Sequence, residues 1–319
     1  MSEFGLLTEN VYLCRNPVLF RIMLDLFGGP EYESLSIQQA VKNIKTMIET
    51  AIIDGGEDEN GRRLDGCQAK NNIIRSQGPI CQLHDAVKSS LMDLGVNPAY
   101  IKPPFLTHEG EIRVFGRLKA KDQDVCVLPN DVNQERQMLS FDGLLHGEMD
   151  PLGLRLTERI LSINVRSQLS SGSKNFDTLY ERTFAEALNL HLRCDKMVLG
   201  EVYMIPVYEY DDNAAKRNQV VFKPNPRVRQ HIEKYLASFG AINGRRDITT
   251  DFWQYERVCL LIVDFNHEQP VIFNTDEALI SAGLMSPDNG LTIENMNFPT
   301  LAQTLLEIYS QRFGEDKFI

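Results

Sequence analysis

The sequence predicts an α/β fold: a mixed sheet flanked by helices, with a helical region leading into it. Three observations predict this. Residues 36–54 place Ile37, Val41, Ile44, Ile48 and Ile52 on one stripe at helical spacing. After Pro103-Pro104 the pattern changes to short β-prone runs. A long helical pattern over 174–193 then separates two further strand-like runs. The order helix, strand, strand, strand, helix, strand is that of an α/β core with a mixed sheet.

The elements follow in order. Residues 17–27 open with a proline suited to a first helical turn and stop at Gly28-Gly29. Residues 36–54 form the striped helix, and GGEDENGRRLDG (55–66) is loop by composition, without the alternating ligand spacing of a calcium loop. A further helix is expected over 79–94. Strands are expected at 111–115 (EIRVF) and 124–128 (DVCVL), joined by the polar GRLKAKDQ, and at 160–166 (ILSINVR). In the helix 174–193, Phe176, Leu179, Tyr180, Phe184 and Leu188 make the apolar face, with Ser173 placed to cap it. Strand 197–207, helix 226–238, a hairpin of 257–265 and 270–274, and a closing helix 299–313 complete the chain. This divides it into a mainly helical region, 1–105, and an α/β core, 106–319.

With 319 residues, 43% hydrophobic and 24% charged, the chain is long enough for a large buried core and is composed like a globular protein. No apolar run approaches the roughly 20 residues that span a bilayer, and MSEFGLLTENVY lacks the features of a signal peptide. The expectation is a soluble, cytoplasmic protein without a membrane partner. Six cysteines are scattered with no C-x-x-C pair, which argues against structural zinc and for a reducing compartment. The histidines show no H-x-x-x-H or H-x-H spacing, and neither G-x-S-x-G nor G-x-x-x-x-G-K-[ST] occurs. Serine-elbow hydrolases and ATP-driven enzymes are thereby set aside. The net charge is −11, yet residues 214–250 hold eight lysines and arginines against Glu233 and Asp247, a local +6. Such asymmetry suggests a surface for a polyanion; the competing reading is a solvated face.

The candidate chemistry lies in the middle of the chain. Alternation puts Asp124, Cys126 and Leu128 on one face of their strand, and Ser162, Asn164, Arg166 and Gln168 on one face of the next. On the following helix Arg182, Glu186, Asn189 and Arg193 form a polar stripe.

The runs KDQDVCVLP, ILSINVRSQLSSGSKNFDTLYERTFAEALNLHLR and VLGEVYMIPV resemble the core of the PD-(D/E)XK nuclease superfamily. The likeness covers about residues 110–210, on short and degenerate motifs, and is nearest to type II restriction endonucleases of the ApaLI/XbaI-like group. It implies a magnesium-dependent endonuclease that cuts double-stranded DNA at a specific sequence, working as a homodimer matched to a palindromic site. Asp124 matches the first acid of the motif. The acid-x-lysine pair is replaced by Asn164-Val165-Arg166, an amide without charge and a cation that cannot act as a base. A family variant moves the missing glutamate to the next helix, where Glu186 matches and Glu181 is second choice. The resemblance thus implies Asp124, Glu186 and Asn164 as ligands of Mg2+, and Arg166 as partner of phosphate or water. For DNA contacts the candidates are Arg245 and Arg246 in AINGRRD, Lys223, Arg227 and Arg229 in the basic segment, and Arg62 and Arg63 in GRRLDG.

Plainer readings compete. Asp124 could end a turn, Glu186 could be an i,i+4 partner of Arg182, and Glu201 and Asp264 read as structural acids within apolar strands. The departure at Asn164 and Arg166 favours an alternative, a catalytically inactive nuclease-fold protein that binds DNA. An acidic interaction protein without salt-sensitive DNA affinity is the third reading.

Overall fold

The computed structural model describes residues 34–107, 110–170, 172–314 and 317–318. The helix expected at 17–27 and Cys14 lie outside the described residues. Helix α1 (Ile37–Asp54) begins where the Ser36 hydroxyl accepts the Gln39 N–H, and it ends at Gly55, whose φ of 69° suits glycine. Strands β1 (Gly56–Glu57) and β2 (Arg63–Leu64) make a small antiparallel hairpin within the predicted loop. Helix α2 (Gly66–Arg75) has no counterpart in the hydrophobic pattern. A capping box between Asp65 and Gln68 starts it, and packing on α1 keeps it. Helix α3 (Gln77–Asp93) follows directly.

The six-stranded sheet runs in the order β12-β11-β10-β9-β6-β3. Here β3 is Ile101–Lys102, β6 Val125–Val127, β9 Leu161–Ser167, β10 Val198–Pro206, β11 Arg257–Asp264 and β12 Val271–Phe273. β9, β10 and β11 are mutually parallel; β6 runs antiparallel to β9, and β12 to β11. The predicted class, a mixed sheet flanked by helices with a helical N-terminal region, is the one found. Strand 111–115 differs from expectation. β4 (Ile112–Phe115) stays out of the main sheet and pairs only with β5 (Ala120–Gln123), a strand formed from the expected connection. β7 (Gln137–Met138) and β8 (Met149–Asp150) form another ribbon, before the short helix α4 (Gly153–Thr157).

Both faces of the sheet are covered. α1, α3 and the closing helix α9 (Leu301–Phe313) share one core with Val125, Leu161, Ile163, Val202 and Leu261. The approach of α9 requires Gly200: a Cβ there would meet Leu305 at 2.7 Å and Ile163 at 3.1 Å. The other face packs Cys126, Leu199, Tyr203, Leu260 and Ile262 against α5 (Gly172–His191) and α7 (Val228–Ala241). α5 starts one residue before Ser173, so Ser173 lies inside its first turn rather than at the cap. The short helices α6 (Asp212–Ala215) and α8 (Asp276–Ser281) complete the chain. Among the described residues no helix is long and apolar enough to cross a membrane, and Cys67, Cys81, Cys126, Cys194 and Cys259 are buried free thiols.

Candidate active site

The site grows from the alternation of β9. Leu161, Ile163 and Val165 join the core under α1 and α3, so Ser162, Asn164 and Arg166 point to the other side, beneath α5. That side is buried: Ser162 and Asn164 are fully covered.

α5 turns an unexpected face to the sheet. Phe176, Thr183, Glu186, Ala187 and Leu190 are buried, a stripe at helical spacing that mixes polar and apolar residues. The aromatic stripe lies sideways on α7: Phe176 meets Tyr235 edge-on at 4.7 Å, and Tyr180 contacts Phe239 at 5.9 Å. Glu186 is therefore no solvated partner of Arg182. Arg182 and Glu181 are exposed, whereas Glu186 is 5% exposed and faces the sheet.

Glu186 is the hub. Lys121 Nζ lies 2.6 Å from each carboxylate oxygen, and Arg166 Nη2 donates to Oε2. Gln123 Nε2 donates to Oε1 at 3.3 Å, while Gln123 Oε1 accepts from the Ser162 hydroxyl at 2.8 Å. Lys121 is placed by α5: Asn189 Oδ1 accepts from Leu118 N (2.7 Å) and Lys119 N (3.1 Å), clamping the β4–β5 turn. A Cβ at Gly116 would stand 2.3 Å from Asn189 Nδ2, so this clamp needs glycine. Asp124 occupies the bend where the chain leaves β5 and enters β6. Its Oδ2 accepts the Val165 N–H at 2.8 Å, tying it to β9 beside Asn164 and Arg166. Burial raises the Asp124 carboxyl above its ordinary range, while the Val165 N–H, Lys121 and Arg166 pull it back.

Glu201, which reads in the sequence as a structural acid, belongs to this cluster. It is fully buried on β10, in register with Asn164, and accepts from Arg166 Nη1. Burial pushes its carboxyl up to about 7, with Arg166 opposing and Glu186 adding to the rise. Burial works against the Arg166 charge, but Glu201, Tyr255 and Glu186 more than offset it and keep the guanidinium protonated. Among the described residues, neither amide atom of Asn164 has a hydrogen-bond partner, and neither does Glu201 Oε2. The signal for Glu201 was present in the sequence: a lone acid inside VLGEVYMIPV, at the parity of Tyr203. Lys121 and Gln123 gave no such signal, because they fall in the expected connection.

The structure brings Arg166 and Glu186 into direct contact and binds Asp124 to the same strand as Asn164, the amide without partners. These are oxygen donors beside two cations, an arrangement able to hold a hard cation and to stabilise developing negative charge. Among the described residues no three of His, Cys, Asp and Glu form a metal-holding group. The donor set is instead two carboxylates with an amide, and magnesium is a cation commonly held by one or two carboxylates plus waters and phosphate. The residues fit that ion in kind.

The DNA-contact candidates fare unevenly. Arg62, Arg63, Arg227, Arg229 and Arg246 are exposed. Arg245 is not available to a base edge. It is 4% exposed, and its guanidinium donates to the Asp195 and Ile248 carbonyls and pairs with Glu256 at 3.2 Å. Lys223 is tied to Asp212 at 2.9 Å and Glu209 at 3.6 Å. The +6 of the linear segment is thus partly cancelled in space by acids from outside it, Glu256 and Glu209 among them. No known protein-family model, curated protein or solved structure matches the chain.

Proposed function

We propose that the protein is a magnesium-dependent endonuclease of the type II restriction class, cutting double-stranded DNA at a short specific sequence as a cytoplasmic homodimer. One observation carries the reading. The three elements that the nuclease resemblance assigns to the site, the entry to β6, β9 and α5, bring Asp124, Arg166 and Glu186 to one polar centre on the strand that carries Asn164. Asp124, Glu186 and the Asn164 carbonyl would hold magnesium, which supplies Lewis-acid stabilisation of charge on the phosphoryl group. Lys121 and Arg166 supply positive charge at the same centre. Glu201 orients Arg166 from beneath, and its near-neutral carboxyl can hold a proton there.

The direct test is to incubate the full chain with plasmid and phage DNA, with and without magnesium. Discrete magnesium-dependent fragments support the reading, and Asp124→Asn lowers cleavage at least about a hundredfold, the loss expected even for groups one step removed from a metal. Because asparagine keeps an acceptor for the Val165 N–H, the melting temperature stays near wild type.

A second reading, a protein that binds DNA without cutting it, is favoured by the Glu186 carboxylate, whose two oxygens are already paired with Lys121 and Arg166. Retarded but uncut DNA on several substrates supports this reading against the first.

A further inference from the structure

Away from this centre, a cleft of about 510 Å3 opens between the 243–246 loop, the start of β11 and α9. Arg245, Arg246 and Arg257 line it, together with Asn295 and Thr304. Its carboxylates are Asp251 and Glu256, and Glu256 is already compensated twice, by Arg245 at 3.2 Å and Arg312 at 2.8 Å. Three arginines thus line the cleft beside two carboxylates, one of them already compensated, in a chain whose net charge is −11.

Arg257 is the anomaly. It is 8% exposed, its Nη2 donates to the Thr300 hydroxyl at 2.5 Å, and its Nε has no partner. Among the described residues no carboxylate pairs with it. A buried cation without a counter-charge is expensive to keep, and a neutral side chain of similar size would avoid the cost. Arg246 stands exposed in the same cleft.

We propose that this cleft binds a phosphate group, with Arg257 as the buried anchor and Arg246 as the outer contact. A phosphate presents up to two negative charges and several acceptor oxygens, matching two guanidiniums flanked by amide and hydroxyl side chains; one carboxylate would leave a cation uncompensated. Burial lowers the Arg257 guanidinium below its ordinary value, the direction expected of a cation with no anion beside it. The site stands without the endonuclease reading, which adds one source for the phosphate, the DNA backbone.

The test uses the full chain in magnesium-free buffer. Thermal unfolding is followed with increasing inorganic phosphate against chloride of matched ionic strength, for wild type, Arg257→Gln and Arg246→Gln. Phosphate raises the wild-type melting temperature. Arg257→Gln melts at or above wild type without phosphate and loses the response. Arg246→Gln, an exposed change that leaves folding intact, weakens the response and keeps the test decisive if Arg257→Gln does not fold. Labelled duplex DNA separates the sources. If the backbone supplies the phosphate, each substitution weakens duplex affinity and lowers its salt slope by about 1; unchanged duplex affinity with a lost phosphate response assigns the site to a free phosphorylated ligand. A wild type indifferent to phosphate, or a response surviving both substitutions, overturns the site. Neither result bears on the cleavage reading, which Asp124→Asn tests separately.

Discussion

Asn164 and Glu201 are register partners on adjacent parallel strands and face α5 from the same side of the sheet. Among the described residues Asn164 finds no side-chain hydrogen bond, and Glu201 leaves one oxygen unpartnered. A buried amide left unsatisfied costs about 1–3 kcal/mol. Asn164→Leu keeps the γ-branched shape, carries no polar atoms and is larger, so it should stabilise the fold by up to that amount, less the cost of seating the extra volume, while impairing cleavage. Thermal unfolding beside a cleavage assay checks both halves. A melting temperature lowered by much more than overpacking accounts for would mean that the native amide is satisfied by water.

The two glutamates of α5 should behave differently. Glu186→Ala strips a buried carboxylate from Lys121 and Arg166 and should cost about 3 kcal/mol, the low end for breaking a buried pair, because Lys121 keeps a third of its side chain in solvent. It should also abolish cleavage. Glu181→Ala changes an exposed position and should move stability by no more than about 0.5 kcal/mol. Urea denaturation of both variants decides this, and equal effects would refute the orientation of α5.

Glu201 makes stability depend on pH in a defined direction. Its carboxyl rises from the usual 4.5 to about 7 on folding. Between those values the folded protein keeps a proton that the unfolded chain releases. Stability therefore falls as pH rises through this window and levels off above it, by up to about 3 kcal/mol. Glu201→Gln should remove this descent. Denaturation curves at pH 5, 6, 7 and 8 for the two proteins measure it; parallel pH profiles would rule Glu201 out as the source.

Adjacent arginines should separate stability from binding. Arg245→Met removes a buried partner of Glu256 and should cost about 3 kcal/mol. Arg246→Ala should leave stability unchanged and, where the DNA backbone supplies the phosphate, reduce the salt slope of duplex binding by about 1. Melting temperatures and salt-titrated binding of the pair test the assignment, and a stable Arg245→Met would contradict the buried role.

Much of the site was legible because strand alternation is strictly local. The parity of Ser162, Asn164 and Arg166 follows from chain geometry alone, and it holds in the structure. The orientation of α5 was not legible. Its aromatic stripe reads as the core-facing side, yet those rings pack on α7, and the sheet receives the mixed stripe of Thr183, Glu186 and Ala187. Helical periodicity states which residues share a face but not which neighbour that face meets.

By itself the sequence determined the α/β class, the order of the main strands and helices, and the common face of Ser162, Asn164 and Arg166 on their strand. Those properties depend on residues close in the chain, where periodicity and turn chemistry act directly. Only the tertiary structure decided that β5 pairs with β4 outside the main sheet, that Lys121 and Glu201 join the centre, and that Arg245 is buried while Arg257 has no counter-charge among the described residues. Lys121 with Glu186 and Arg166 with Glu201 are partners dozens of residues apart in the chain. Charge compensation in a folded chain is set by distance in space, which no count along the sequence contains.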